Sequence, residues 1–167
     1  LEELVSEQVE DKAESKIIIF TQYRDAASAI VSTLEERDIS SHIFVGQSKK
    51  SGTGLSQKEQ KRVLQDFRET EFTCLVSTSV GEEGLDIPQV DLVIFFEPVP
   101  SAIRTVQRRG RTGRKHAGQV ITLVTKDTRD EAFRWSSHHK EKRMYDALEA
   151  VSDRVKDMNG QQTLTDL

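Results

Sequence analysis

The sequence predicts an α/β fold with a mainly parallel sheet, and three observations predict it. Ile17-Ile18-Ile19-Phe20 and Leu92-Val93-Ile94-Phe95-Phe96 are apolar without interruption, as strands covered on both faces are. Ala27, Ile30, Val31 and Leu34 recur at i, i+3, i+4 and i+7, one stripe of an amphipathic helix. The two kinds of segment alternate along the chain, and strands joined through helices lie parallel with right-handed crossovers.

The first fifteen residues, with Glu2, Glu3, Glu7, Glu10, Asp11 and Glu14, read as an acidic linker or a helical extension. Lys16 leads into the first strand over 17–20, and the helix bearing Ala27 to Leu34 follows. A short second strand is predicted over 42–45, then a loop rich in Ser, Gly and Lys over 46–54. Ser56 opens the next helix: Glu59, three residues on, completes a capping box, and Val63, Leu64 and Phe67 form the inner face. A third strand is predicted over 72–77, a glycine-bearing connection over 78–88, and a fourth strand over 92–96. Pro98 and Pro100 mark a loop, Ser101 caps a helix to about Arg109, and a fifth strand is predicted over 119–124. A long polar helix starts at Thr128, carries Phe133, Trp135, Met144, Tyr145 and Leu148, and is expected to end at Asn159-Gly160. The domain is therefore assigned to 16–150, with a polar tail or linker over 151–167. Ligands of such sheets sit beyond the carboxyl ends of the strands, which points to the loops after Phe20, Val45, Ser77, Phe96 and Val124.

A chain of 167 residues can bury a core without disulfides or metal, and 35% hydrophobic with 31% charged residues suits a soluble globular domain. No apolar stretch approaches the roughly 20 residues that span a bilayer, and Leu-Glu-Glu-Leu at the start lacks the basic region of a signal peptide. The single cysteine, Cys74, excludes an internal disulfide and zinc-type cysteine spacing; in the run 72–76 it reads as an inert buried thiol. A cytosolic protein is expected. The net charge of −4 is unevenly spread: Arg104, Arg108, Arg109, Arg111, Arg114 and Lys115 crowd one short stretch. Local field, not total charge, steers a polyanion, although a solvated face is the plainer reading of such a run.

Two stretches carry chemistry. In Gln107-Arg108-Arg109-Gly110-Arg111-Thr112-Gly113-Arg114, glycines alternate with arginines, which a core helix would not do because Gly costs about 1 kcal/mol relative to Ala there. The pattern suggests a helix end bending into a turn with its arginines projected outward. Arginine suits phosphate through its planar fork and permanent charge, and an arginine reaching a phosphoryl transition state is worth on the order of 10³–10⁵ in rate. Ser77-Thr78-Ser79-Val80-Gly81-Glu82-Glu83-Gly84-Leu85-Asp86-Ile87-Pro88 follows a strand directly. Its small residues let a sugar–phosphate backbone approach main-chain N–H groups, and Asp86 offers an acceptor for a ribose hydroxyl.

These stretches resemble motifs VI and V of superfamily-two helicases, Ile17 to Tyr23 resembles motif IV, and Gly46-Gln47 the short motif after it. Four motifs in order, over roughly 15–148, identify the chain as similar to the C-terminal, second RecA-like lobe of such motors. The resemblance implies a three-layer α/β/α sandwich. The wording of 81–88, 96–101 and 107–114 is most similar to the archaeal Hef and Fanconi-anaemia M helicases, which remodel branched DNA, with the RNA-sensing and Dicer helicases as cousins. It implies a nucleoid-associated place in an archaeal-type cell, or a nuclear one in a eukaryote.

Carried over residue by residue, the resemblance makes Arg111 and Arg114 arginine fingers facing the γ-phosphate of ATP. Gln107 becomes a relay between nucleotide and nucleic acid, Arg108 a brace between lobes, and Asp86, with Gly84 beside it, part of the nucleotide cleft. Thr21, Gln22, Tyr23, Gly46, Gln47, Thr78, Ser79 and Gly81 become contacts to a nucleic-acid strand. Arg109 receives no role. Two readings stay open beside the DNA motor: an RNA helicase lobe, and a scaffold binding DNA, a sliding clamp or a nuclease with the motor idle.

No Gly-x-x-x-x-Gly-Lys-Ser/Thr phosphate loop occurs, so ATP and its magnesium are expected to be held mainly by a first lobe. Asp130-Glu131-Ala132-Phe133 mimics an acidic magnesium box, but it follows polar residues and reads as the acidic first turn of a helix. His138-His139 cannot face one way on a helix and reads as wet surface. Lys49, Lys50 and Lys58 read as a solvated loop as readily as a phosphate contact. Trp135 with Phe133 reads as core packing in preference to a base-stacking pair. Gln161-Gln162-Thr163-Leu164-Thr165-Asp166-Leu167 resembles a sliding-clamp-binding peptide without its aromatic pair, against the simpler reading of a tail.

Overall fold

The computed structural model describes residues 1–12, 14–47, 54–78, 87–98 and 119–162. Five strands, β1 (Ile17–Phe20), β2 (Ser41–Phe44), β3 (Cys74–Ser77), β4 (Leu92–Phe95) and β5 (Gln119–Thr122), form one sheet in the order β2-β3-β1-β4-β5. Every pairing is parallel. The helices are α1 (Glu2–Asp11), α2 (Arg24–Glu35), α3 (Gln57–Arg68) and α4 (Arg129–Gln162).

The uninterrupted apolar strands are those at the centre, and their side chains alternate between two separate cores. Ile18, Phe20, Leu75, Val93 and Phe95 point to the face covered by Val63, Leu64 and Phe67 of α3. Ile17, Ile19, Cys74, Val76, Leu92 and Ile94 point to the other face, against Ala27, Ile30 and Leu34 of α2 and Val5 of α1. The expected three-layer arrangement with a parallel sheet is present. The capping box is also present: Ser56 Oγ accepts from Glu59 N at 3.3 Å, and Ser56 N donates to Glu59 Oε2 at 2.6 Å.

The acidic opening forms a helix that belongs to the core, since Val5 is fully buried. Its C-terminal end is fastened by Asp91, whose carboxylate accepts from Lys12 Nζ at 2.6 Å and from the backbone N–H of Lys16 at 2.9 Å. One carboxylate thus ties the end of α1, the entry to β1 and the entry to β4.

The first strand has the expected ends, and the others differ from the sequence expectation by one or two residues. Thr73 and Cys74 both donate to Ser40 O, so pairing with β2 starts at Ser41 and Cys74 and leaves Phe72 in the turn before β3. There Phe72 stacks on Phe67, ring centroids 5.2 Å apart. The last helix passes through Asn159-Gly160 and continues to Gln162. A single glycine weakens a helix by about 1 kcal/mol but does not forbid it.

Trp135 does not pack in the core: it is 64% exposed and stacks on His139, 6.2 Å away at 27°. Ser137, on the opposite side of α4, is the buried residue of that turn. His138 and His139 lie on wet surface as expected.

Cys74 is fully buried in β3, and that burial raises its thiol pKa from 9.0 to about 12. An aromatic disulfide reagent at pH 8 is expected to leave Cys74 unreacted in the folded chain and to titrate one thiol in urea. The unfolded thiol deprotonates near 9 and the folded one near 12, so the folded state binds the extra proton in that window. This group's contribution to stability is complete below pH 9 and declines as pH rises toward 12. Urea midpoints of the chain should therefore fall more steeply above pH 9 than those of Cys74→Ala. Identical slopes would refute the burial effect.

Candidate nucleic-acid and nucleotide interface

The parallel registers place the last residues of all five strands in one row: Phe44, Ser77, Phe20, Phe95 and Thr122 are successive partners across the sheet. The residues that follow them form a single rim. The chain leaves β1 toward β2 and leaves β4 toward β5, so these adjacent strands diverge and open a crevice at their carboxyl ends. Thr21 and Gln22 stand on one side of it, Glu97 and Pro98 on the other.

A compact network closes the floor of this crevice. Thr21 Oγ1 donates to the Glu97 carboxylate, with both oxygens at 3.1 Å. Gln22 N also donates to Glu97 Oε1, and Gln22 Nε2 lies 3.4 Å from Pro98 O. Beneath it, Thr21 N donates to Ser77 O at 3.0 Å and Phe96 N to Phe20 O at 2.9 Å, joining β1 to both neighbours.

Thr21, expected to touch a strand, is fully buried with its hydroxyl committed to Glu97. It has no surface with which to meet a ligand and acts on the loop from below. The outward groups are Gln22 and Tyr23, the latter 56% exposed. Thr78 is likewise 5% exposed; its N–H donates to Phe44 O at 3.2 Å, while its carbonyl accepts from Ser77 Oγ at 3.0 Å.

The loop after β2 is held from two sides. Arg24 donates to Gly46 O at 3.0 Å, and the buried amide of Gln60 donates to Val45 O at 3.0 Å. Gly46 and the exposed Gln47 thereby stand near the start of α2, on the same rim as Gln22. The start of α4 reaches this rim as well, with Arg129 Nη2 3.5 Å from the Tyr23 hydroxyl. The acidic Asp130 serves the local turn, accepting from Thr125 N at 3.2 Å, in agreement with the reading of an acidic first turn.

Ser79, Gly81, Gly84, Asp86, Gln107, Arg108, Arg111 and Arg114 lie outside the described residues, as do Lys49, Lys50 and the helix expected from Ser101. Of the clamp-like stretch, residues 161 and 162 are in α4, and 163–167 lie outside the described residues. Sequence reasoning missed Glu97, Arg24 and Gln60. For Glu97 a signal was available, a lone carboxylate directly beyond an all-apolar strand.

The family profile "Helicase conserved C-terminal domain" matches residues 1–116. The chain belongs to this family. The helicase domain is 47% identical, over 142 residues, to a putative ATP-dependent RNA helicase of Methanocaldococcus jannaschii, covering 85% of this chain and 18% of that protein. It is 39% identical over 127 residues to an ATP-dependent DNA helicase, mph1, of Aspergillus fumigatus, covering 74% of this chain and 12% of that protein.

Among solved structures, it resembles the Pyrococcus furiosus Hef helicase domain with a TM-score of 0.68 and 56% identity, covering 81% of this chain and 27% of the other. It also resembles the C-terminal domain of the DEAD-box protein Dbp5, TM-score 0.65 at 25% identity, covering 79% and 73% of the two chains. The regions matched share the RecA-like fold, and the helicase domain spans less than a fifth of either relative it matches in sequence.

Proposed function

We propose that this chain is the second motor lobe of an ATP-dependent DNA helicase or translocase that remodels branched DNA. Nucleic acid lies across both lobes and ATP in the cleft between them. Gln22, Gly46 and Gln47 meet the strand from the rim, together with Ser79 and Gly81; Thr21 and Thr78 shape that rim from beneath. Arg111 and Arg114 complete the nucleotide site when the cleft closes, with Gln107 and Arg108 relaying between lobes and Asp86 and Gly84 lining the cleft.

Hydrolysis removes the phosphate those arginines hold, the lobes relax, and the strand contacts shift. Such coupling needs contacts that differ between two states, which a cleft between lobes supplies. The chain carries no Gly-x-x-x-x-Gly-Lys-Ser/Thr phosphate loop, and the phosphates of ATP with their magnesium are assigned to the first lobe.

The observation that carries this reading is the shared rim. The loops after β1, β2 and β3, which hold the proposed strand contacts, and the loop after β4, which leads toward the arginines, all leave the same edge of one parallel sheet. DNA is favoured over RNA by the motif wording and by the likeness to mph1, which is named a DNA helicase, although the M. jannaschii relative carries the name of an RNA helicase.

The purified chain alone is expected to show no ATP turnover. The full-length protein should hydrolyse ATP with strong stimulation by forked or four-way DNA and weaker stimulation by duplex RNA. Substantial stimulated hydrolysis by the chain alone would overturn the half-motor assignment. Stronger stimulation by RNA would move the protein to the RNA branch, and no hydrolysis by the full-length protein would favour the scaffold.

A further inference from the structure

We infer that Glu97 is the positioning residue that couples strand engagement at the loop after β1 to the arginine-bearing segment after β4. The inference rests on the motor reading and deepens it, because it names the side chain through which one site reports to the other. The Glu97 carboxylate carries a charged group across the β1/β4 crevice. It accepts from a buried hydroxyl, Thr21 Oγ1, and from the backbone N–H of Gln22. Gln22 returns a contact to Pro98 O, so the two loops hold each other at both ends.

Geometry gives this pair of loops different duties. Gln22 and Tyr23 are exposed at the rim, where a strand can reach them, whereas Thr21 is shut off from water. A displacement of Gln22 toward a bound strand must therefore pull on Glu97 or break its hydrogen bonds. Water has no access to Thr21 with which to replace the lost partner, so breaking that bond carries the penalty of an unsatisfied buried hydroxyl. Residue 97 in turn stands only ten positions before Gln107 and seventeen before Arg114. A carboxylate holds both donors, the Thr21 hydroxyl and the Gln22 N–H, through charge-assisted hydrogen bonds; an amide of the same shape loses the charge that strengthens them.

The test is the fold stimulation of ATP hydrolysis by four-way DNA in the full-length protein carrying Glu97→Gln. This ratio of stimulated to unstimulated rate is expected to fall about tenfold, with DNA affinity measured separately by anisotropy changing less than about threefold. A purely structural defect would lower both rates together and leave the ratio untouched. Unchanged stimulation at native Tm, or a loss of affinity that accounts for the whole loss of stimulation, overturns the inference.

Should Glu97→Gln lower Tm by more than a few degrees, Thr21→Val and Thr21→Ser decide. Valine, without a donor, must reduce the ratio, and serine, which keeps the hydroxyl, must restore most of it; equal ratios in the two variants overturn the inference. Failure of the motor reading looks different, since the unsubstituted protein would then show no stimulation to lose.

Discussion

Replacing Arg111 or Arg114 by alanine in the full-length protein is expected to lower DNA-stimulated ATP hydrolysis by about 10³-fold or more, with ATP binding retained. The charge of a phosphoryl transition state is spread over its equatorial oxygens, and a guanidinium stabilises it by charge and by paired hydrogen bonds in the plane of its fork. On the proposed reading the guanidinium meets the nucleotide only when the cleft closes, so its removal should affect the ground-state complex little. The loss should therefore appear in kcat, with binding of a fluorescent ATP analogue nearly unchanged. Lysine at either position keeps a charge and loses the fork, so Arg111→Lys and Arg114→Lys should recover only part of the rate. Normal turnover in both alanine variants would remove the finger roles from 111 and 114. A loss of nucleotide binding equal to the loss in rate would make them ground-state contacts instead.

Much of this fold was legible because burial on both faces leaves a plain mark: β1 and β4 carry no polar residue, as a strand covered on both faces requires. The start of α3 was legible because a capping box is a local device, complete within Ser56 to Glu59. Register is not local. That β2 begins at Ser41 follows from its pairing with Cys74, a partner thirty-three positions away, and no property of 41–44 alone encodes it.

Trp135 was misplaced for a related reason. An aromatic residue in a helix signals burial only if the helix lies against something at that angle, and α4 presents Ser137 to the body instead.

The candidate site divides along the same line. That the loops proposed to hold it leave one edge of the sheet was legible from the order of the elements, since the rule that places ligands at carboxyl ends needs only that order. The inner arrangement of the rim was not: Thr21 and Glu97 are seventy-six positions apart, and only folding reveals that the threonine faces a carboxylate instead of a ligand.

The second large effect is predicted where core and rim meet. Phe20 is fully buried, stacks on Phe95 with centroids 6.0 Å apart, and is the last residue of the central strand before Thr21. Phe20→Ala is expected to cost about 3–5 kcal/mol, combining lost transfer energy with the cavity left among Phe44, Phe95 and Val93. For a domain of this size each kcal/mol lowers Tm by about 2–4 °C, so calorimetry should record a fall on the order of 10 °C. Phe20→Leu fills most of the space and should lose much less.

The two variants also separate packing from alignment. Phe20 O accepts from Phe96 N, and that bond sets the height of Glu97 against Thr21. Leucine leaves the backbone bond in place under a filled core, so the crevice should keep its geometry and the full-length protein its DNA stimulation. Alanine lets the core collapse toward the void and should degrade stimulation at temperatures well below its own Tm. An unchanged Tm for Phe20→Ala would contradict the core described above. Lost stimulation in a fully stable Phe20→Leu would show instead that the ring of Phe20, and not the backbone row beneath the rim, fixes the distance between the two loops.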